Sequence, residues 1–209
     1  MPARELLSIY PNFMSLYEKY KLPYDETFRD AIIALGMPDL NKPTEALSAV
    51  LTNLEKAIRG KIFLDAEKNR FYLRPEKSKR LIEMDMTAEG WRRTGMIMQL
   101  LKNGTLTPGM TLFWDEPESN LNPKLIRCVA STIFSLAETG IQVFIATHSL
   151  FLVNELEIII AKHKMRSGIR YFNLRAGEAV EQGDSFAELH DVLLDESMDQ
   201  ADRYLDDEV

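Results

Sequence analysis

The alternation of apolar and polar positions divides the 209-residue chain into a helical first part and a mixed second part. Phe28, Ile32 and Leu35 share one helical face, with Asp25 placed to cap and Gly36 placed to stop, so a helix is expected over 27–35. Pro38 and Pro43 bracket a turn. Leu47, Val50, Leu51, Leu54 and Ile58 then recur at helical spacing until Gly60. Both stripes read most simply as core. Residues 2–9 admit a strand or a helix entry, and residues 1–60 together read as a helical lobe.

From Lys61 the period changes. Lys61–Leu64 and Arg70–Leu73 flank the polar turn Asp65–Asn69 and predict a β-hairpin, followed by a short segment over 81–86. A helix is expected over 91–102, with Met96, Ile97, Leu100 and Leu101 on its apolar face and Asn103-Gly104 at its end. The apolar run Thr111–Trp114 reads as a strand. Leu125, Ile126, Val129, Ile133, Phe134 and Leu136 form an amphipathic helix that Gly140 stops. A buried strand over 141–146, a helix over 149–165 and a strand over 169–174 complete the pattern. Strand, helix, strand, helix, strand implies right-handed crossovers, a largely parallel sheet and an α/β fold. Residues 61–186 form this core. Residues 187–209 are rich in Asp and Glu; Leu189, Val192 and Leu193 suit a short helix, and the rest is expected to be solvated and poorly ordered.

Composition narrows the classes. An apolar content of 45% can bury a core. A net charge of -7 argues against a uniformly basic, nonspecific nucleic-acid binder but leaves room for a local basic patch. The lone Cys128 excludes an intramolecular disulfide and falls in an apolar helical pattern, as a small core residue does. Three histidines without a Cys/His cluster argue against structural zinc. Arg4 and Glu5 break any signal-peptide pattern, and no uncharged apolar run approaches the roughly 18 residues of a membrane span. The expected location is the cytosol, without a membrane partner.

The candidate chemistry lies in Thr111–Pro123, TLFWDEPESNLNP. The strand ends in adjacent carboxylates, Asp115 and Glu116, and Pro117 prevents its regular continuation. Ligands of open α/β sheets sit at the carboxyl ends of strands, where Asp115, Glu116 and His148 all fall. One acid suits magnesium, held directly or through water, while the other polarises a nucleophilic water. The competing reading is a solvated acidic turn for the pair, and a strand-end histidine with no chemical role for His148.

Leu112–Pro117 resembles a Walker B motif with its following glutamate, Glu118–Pro123 resembles a D-loop, and Phe144–Ser149 resembles a switch-histidine strand. In order and spacing these motifs are similar to those of ABC-type ATPases, and most of all to the stand-alone AAA-family ATPases related to SMC, RecF and OLD proteins. The resemblance is specific from Met86 to Glu157 and implies a partial P-loop NTPase sheet with flanking helices and an N-terminal helical lobe. It implies that Asp115 holds the shell of Mg2+, that Glu116 orients or deprotonates the attacking water, and that His148 senses the γ-phosphate of ATP. It implies too that Ser119 and Asn120 reach across a dimer interface. Thr87-Ala88-Glu89-Gly90 stands where the family has a serine- and glycine-containing loop that grips phosphate from the opposite subunit. It keeps Thr87, Gly90 and a helix start, but lacks a second glycine and carries Glu89. Arg92 and Arg93 are read equally well as phosphate contacts or as cover for the helix surface.

The sequence departs from the family in one respect. A Walker A loop, GxxxxGK[ST], is absent: the one Gly-Lys pair, Gly60-Lys61, is followed by Ile62 and has no glycine at the required place before it. No Q-loop glutamine is identifiable either. The expectation is therefore a C-terminal portion, whether a truncated product, a cloned fragment or half of a split ATPase. Weak or absent binding of ATP and Mg2+ by the isolated chain is expected, with little or no turnover. An exposed sheet edge and apolar patch would favour self-association or pairing with an N-terminal Walker A-containing segment. DNA repair or phage defence is the process the resemblance suggests, with nucleic acid met through a complex. The alternative is a non-hydrolysing remnant that acts as an interaction module; a nuclease-linked regulator ranks last, since no further acidic cluster is evident.

Overall fold

The computed structural model describes residues 4–40, 45–164, 168–189 and 192–206. Pro43, the last residue of the helix expected over 149–165 and part of the acidic stretch 187–209 lie outside them. The chain divides into two compact units, residues 1–147 and 148–209.

Of the stretch 2–9, the described residues 4–9 are irregular, neither strand nor helix, although Leu6 and Leu7 in it are fully buried. The Leu6 N–H donates to Met96 Sδ at 3.3 Å, so it is satisfied without a ladder. Helix α1 spans Phe13–Tyr20 and buries Phe13 alone, which is why the apolar pattern did not reveal it. Helix α2 spans Glu26–Leu35, with Asp25 capping the Thr27 N–H at 2.8 Å and Gly36 at its end. Helix α3 spans Glu45–Ile58 and buries Leu47, Val50, Leu54 and Ile58 of the expected stripe, while Leu51 is half-buried.

Strands β1 (Gly60–Asp65), β2 (Arg70–Pro75) and β3 (Ile82–Glu83) form an antiparallel sheet in that order. The register pairs Lys61 with Arg74 and Phe63 with Tyr72, so Ile62, Phe71 and Leu73 can bury against the core. Helix α4 (Glu89–Lys102) is buried on most sides: Gly90, Arg93–Gln99 and Leu101 are all inaccessible. A helix polar by composition yet buried all round must satisfy its polar groups internally. Thr94 Oγ1 accordingly donates to the Gly90 carbonyl at 2.9 Å and Gln99 Nε2 to Asp39 at 3.0 Å.

Strand β4 (Thr111–Asp115) and strand β5 (Gln142–Ala146) pair in parallel, Asp115 opposite Ala146, and helix α5 (Pro123–Glu138) connects them. Asn122 caps α5 by accepting from the Leu125 N–H at 3.1 Å, and Pro123 sits in the first turn. Ile126, Val129, Ala130, Ile133, Phe134 and Leu136 are buried, the larger ones contributing about 1.5–3 kcal/mol each. On β4, Leu112 and Trp114 point inward; Phe113 points outward with 62% of its surface exposed.

In the second unit helix α6 spans Leu150–His163, with Ser149 accepting from the Leu152 N–H at 3.3 Å. The strand expected over 169–174 to extend the parallel sheet behaves differently. Strand β6 (Tyr171–Asn173) pairs antiparallel with strand β7 (Glu181–Gly183) in a separate ribbon. The turn that folds them together holds Gly177 at φ +80° and a Glu178 N–H to Arg175 carbonyl bond of 3.3 Å. The helix expected in the acidic end is longer than the short one around Val192 and Leu193: helix α7 covers Val192–Asp206. Leu194, Met198 and Leu205 recur at helical spacing on it and remain exposed.

Candidate functional site

The site is built from the loop that follows β4. Asp115, the last strand residue, is exposed. The next residue, Glu116, takes φ +43°, a left-handed backbone that residues with a Cβ adopt at a cost of about 1–2 kcal/mol. Its main chain is held on both sides. The Glu116 N–H donates to the Ala146 carbonyl at 2.8 Å, which continues the parallel ladder by one step. The Glu116 carbonyl accepts from the Ser119 N–H and from Arg93 Nη1, each at 3.1 Å. Ser119 Oγ donates to Glu116 Oε2 at 2.7 Å, a charge-assisted bond that orients the carboxylate. Asn120 is exposed at φ +59°, a backbone that asparagine tolerates well.

The start of α4 lies flush against this loop. A Cβ added to Gly90 would come within 2.1 Å of Leu121 Cδ2 and 3.1 Å of the Asn120 carbonyl oxygen. Gly90 is thus needed for close approach. Thr87 stands just ahead of the helix, and its hydroxyl donates to the Met84 carbonyl at 2.7 Å. Asp115, Glu116, Ser119 and Asn120 therefore share one loop, with Gly90 against it, while Thr87 and Gly90 are both engaged within the chain. His148 is exposed and opens the second compact unit; the chain reaches it from β5 through Thr147.

Both arginines have partners within the chain itself. Arg92 Nε pairs with Glu5 Oε1 at 2.9 Å, with both side chains largely buried, and its Nη1 donates to the Asp85 and Thr87 carbonyls. It braces the irregular first segment against the start of α4. Arg93 is only 7% exposed and links Glu89, at 3.4 Å, to the Glu116 carbonyl. Long apolar stems let arginines sit inside while their guanidinium forks find several acceptors, and the helical pattern alone cannot show this.

Glu118 was missed as well. It is buried to 7% exposure, and its Oε1 accepts from the Thr147 hydroxyl. Its Oε2 is buried without a hydrogen-bond partner among the described residues. The bond ties the loop after β4 to the chain leaving β5. The available signal was the parallel register itself, which puts Thr147 beside the acids that follow Asp115.

Among the described residues no group of three or more His, Cys, Asp or Glu side chains is arranged to hold a metal ion. The exposed Asp115 next to an oriented Glu116 nevertheless fits magnesium, which takes one or two carboxylates and fills its other positions with water and phosphate oxygens. Among the described residues no helix is long and apolar enough to cross a membrane.

The parallel strand pair carries acids at its carboxyl end, and the loop that follows lies against helix α4, in an α/β arrangement. Residues 3–154 match the family described as "AAA domain, putative AbiEii toxin, Type IV TA system", and the chain belongs to that family. No curated protein matches the sequence. Among solved structures, the chain is similar to an SMC ATPase studied for ATP-driven dimerization and DNA-stimulated activation, with 12% identity over 66% of this chain and 83% of that one, and a TM-score of 0.43. It is also similar to an Smc head bound to the C-winged helix domain of ScpA, with 12% identity, 88% and 50% coverage and a TM-score of 0.47. A third likeness is to an Smc head with an extended coiled coil, bound to the C-terminal domain of ScpA derived from Pyrococcus furiosus (14% identity, 95% and 50% coverage, TM-score 0.43). The chain thus spans half the length of two of these structures. At such scores the assignment rests on the family match.

Proposed function

We propose that this chain supplies the hydrolytic half of an ATP site, and that the loop cradling the phosphates comes from another segment or chain. The observation that carries this reading is Glu116: its strained backbone is anchored by β5, Ser119 and Arg93, and its carboxylate is oriented by the Ser119 hydroxyl. Strain held in place by several partners belongs to functional positions. Asp115 is the residue to hold Mg2+, which when bound would neutralise charge on the phosphates. Glu116 accepts a proton from, or orients, the attacking water. His148 contacts the γ-phosphate. Ser119 and Asn120 reach a partner subunit, and Ser119 must then exchange its bond to Glu116. Thr87 and Gly90 lie at the helix start that faces the partner's phosphate. Support for a cradle from elsewhere is that the one Gly-Lys pair, Gly60-Lys61, opens strand β1 and has Glu55 where a phosphate loop has its first glycine.

Calorimetry with magnesium-ATP tests the first half of this reading: the chain alone should bind weakly or not at all. Tight binding would show that it needs no external cradle. In a preparation that hydrolyses ATP, Glu116→Gln should lower turnover by about 10²–10⁴ while sparing ATP binding. Unchanged turnover would remove Glu116 as the base and favour a non-hydrolysing interaction module.

A second reading, contact with nucleic acid, has its own support. Segment 59–80 carries eight Lys or Arg against three Asp or Glu, in a chain of net charge -7. Arg59, Arg74, Lys77, Lys79 and Arg80 in it are exposed. Fluorescence anisotropy with a DNA duplex should show binding that weakens as salt rises. No binding at about 50 mM salt would set this reading aside. A DNA repair or phage-defence setting, and a cytosolic location, accord with either reading.

A further inference from the structure

We infer that Arg93 is a positioning residue for Glu116; the inference rests on the reading of Glu116 as the group that activates water. Arg93 is buried, and its guanidinium spans two acceptors, Glu89 Oε1 at 3.4 Å and the Glu116 main-chain carbonyl at 3.1 Å. The second acceptor gives the pair its meaning. A bond to a side chain would add only a contact, whereas a bond to this carbonyl fixes the peptide plane between Glu116 and Pro117. Glu116 is held there at φ +43°, a conformation its own side chain disfavours. Removing one anchor lets the residue relax toward negative φ and swings its carboxylate away from where Ser119 holds it.

Arg93 also joins the loop to the first turn of α4. A Cβ on Gly90 in that turn would run into Leu121 and the Asn120 carbonyl, so the turn lies close against the loop, and Glu89 in the same turn balances the buried charge. A shift of this turn would move Gly90 and Arg93 together and be felt directly at Glu116. Arginine suits the position because its planar fork serves both acceptors at once; a lysine ammonium keeps the charge but lacks the fork. Neighbouring Arg92, committed to Glu5 and to the Asp85 and Thr87 carbonyls, cannot take over.

The test uses the full 209-residue chain, isotope-labelled, as wild type, Arg93→Gln and Arg93→Lys. Two quantities are read: the Glu116 backbone chemical shifts and HN–Hα coupling, which report its φ, and amide exchange at Ser119, whose N–H donates to the Glu116 carbonyl. Amides of the β1–β2 hairpin serve as the reference for global stability. In Arg93→Gln, Glu116 should lose its left-handed signature and Ser119 should exchange about tenfold faster, while the hairpin is unchanged. Arg93→Lys should fall between, and it carries the test alone if the glutamine variant does not fold. A preserved Glu116 signature would overturn the inference, as would equal acceleration in the hairpin, since Arg93 would then serve the fold as a whole. In an ATP-hydrolysing preparation, Arg93→Lys should lower kcat about 10- to 100-fold with KM within about twofold. If Glu116→Gln leaves turnover intact while the resonance arm succeeds, the hydrolytic reading fails and the clamp stands. An unmoved resonance signature overturns the clamp whatever turnover does.

Discussion

The first unit contains two sheets that solve the same problem in opposite ways. The antiparallel sheet β1-β2-β3 buries Ile62, Phe71 and Leu73 on one face and puts Lys61, Arg70 and Arg74 on the other. Its solvent face is furnished for water: Arg74 lies 4.9 Å over the Phe63 ring, Lys68 5.3 Å over Tyr72, and Arg70 pairs with Glu83 at 2.9 Å. The parallel pair β4–β5 has no such finish. One face packs inward through Leu112 and Trp114, while the other presents Phe113 and Phe144, 62% and 40% exposed, stacked with centroids 4.9 Å apart. Parallel sheets are normally covered on both faces, whereas antiparallel ones tolerate water on one. The hairpin sheet is therefore finished by its own residues, and the strand pair that carries the acids is not. The incomplete sheet is the one with the strained Glu116.

Core truncations would break this comparison most severely. Trp114→Ala empties the covered side of β4 directly behind Asp115, and Leu73→Ala does the same to the hairpin. The expected costs are about 3–5 kcal/mol for the tryptophan and about 2–5 kcal/mol for the leucine, read as a shift in urea midpoint. Similar losses would show that both sheets belong to one cooperative unit with the same inner core. A Trp114→Ala variant with an unmoved midpoint would mean that β4 is not part of that core.

Gly90→Ala comes next. Its new methyl meets the Leu121 side chain, which must give way, and the overpacking should cost about 1–3 kcal/mol in thermal or denaturant unfolding. In the sequence Gly90 stands out through its likeness to a phosphate-gripping loop. What the structure shows is a close approach between helix and loop, and only the fold could reveal it. The same limit explains Arg93 and Glu118. A pattern of apolar spacings places helix α4 and strand β4 within two residues of their observed ends, because burial of Met96, Ile97 and Trp114 is what forms them. It cannot say that a charged side chain turns inward to hold a carbonyl, since that depends on which loop arrives beside the helix. The ribbon β6–β7 was hidden for a related reason: Tyr171–Asn173 has a strand's composition, but its partner was decided by the turn at Gly177.

Asn122→Ala tests how firmly the loop is closed at its far end. The side chain caps α5 through the Leu125 N–H at 3.1 Å, and its loss should cost about 1 kcal/mol. Because α5 begins three residues after Asn120, fraying there should also speed amide exchange at Leu121, whose N–H donates to the Glu118 carbonyl at 3.1 Å. Exchange at Leu121 unchanged from wild type would uncouple the cap from the acidic loop.

The smallest expected effect on folding bears most directly on the two sheets. Phe113 and Phe144 lie on the uncovered face, so replacing both with serine removes little buried apolar area and should change unfolding stability by no more than about 0.5 kcal/mol. Association should respond far more. An exposed aromatic pair on a sheet that is two-stranded among the described residues is a surface on which another chain or another copy gains contact area, and serine removes it. Sedimentation velocity on wild type and on Phe113→Ser/Phe144→Ser, at the same concentration and over a dilution series, separates the two consequences. Loss of self-association with preserved stability would mean that the second face of β4–β5 is covered by a partner. Loss of stability instead would mean that the two rings already serve the fold of the single chain, and the contrast with the hairpin sheet would disappear.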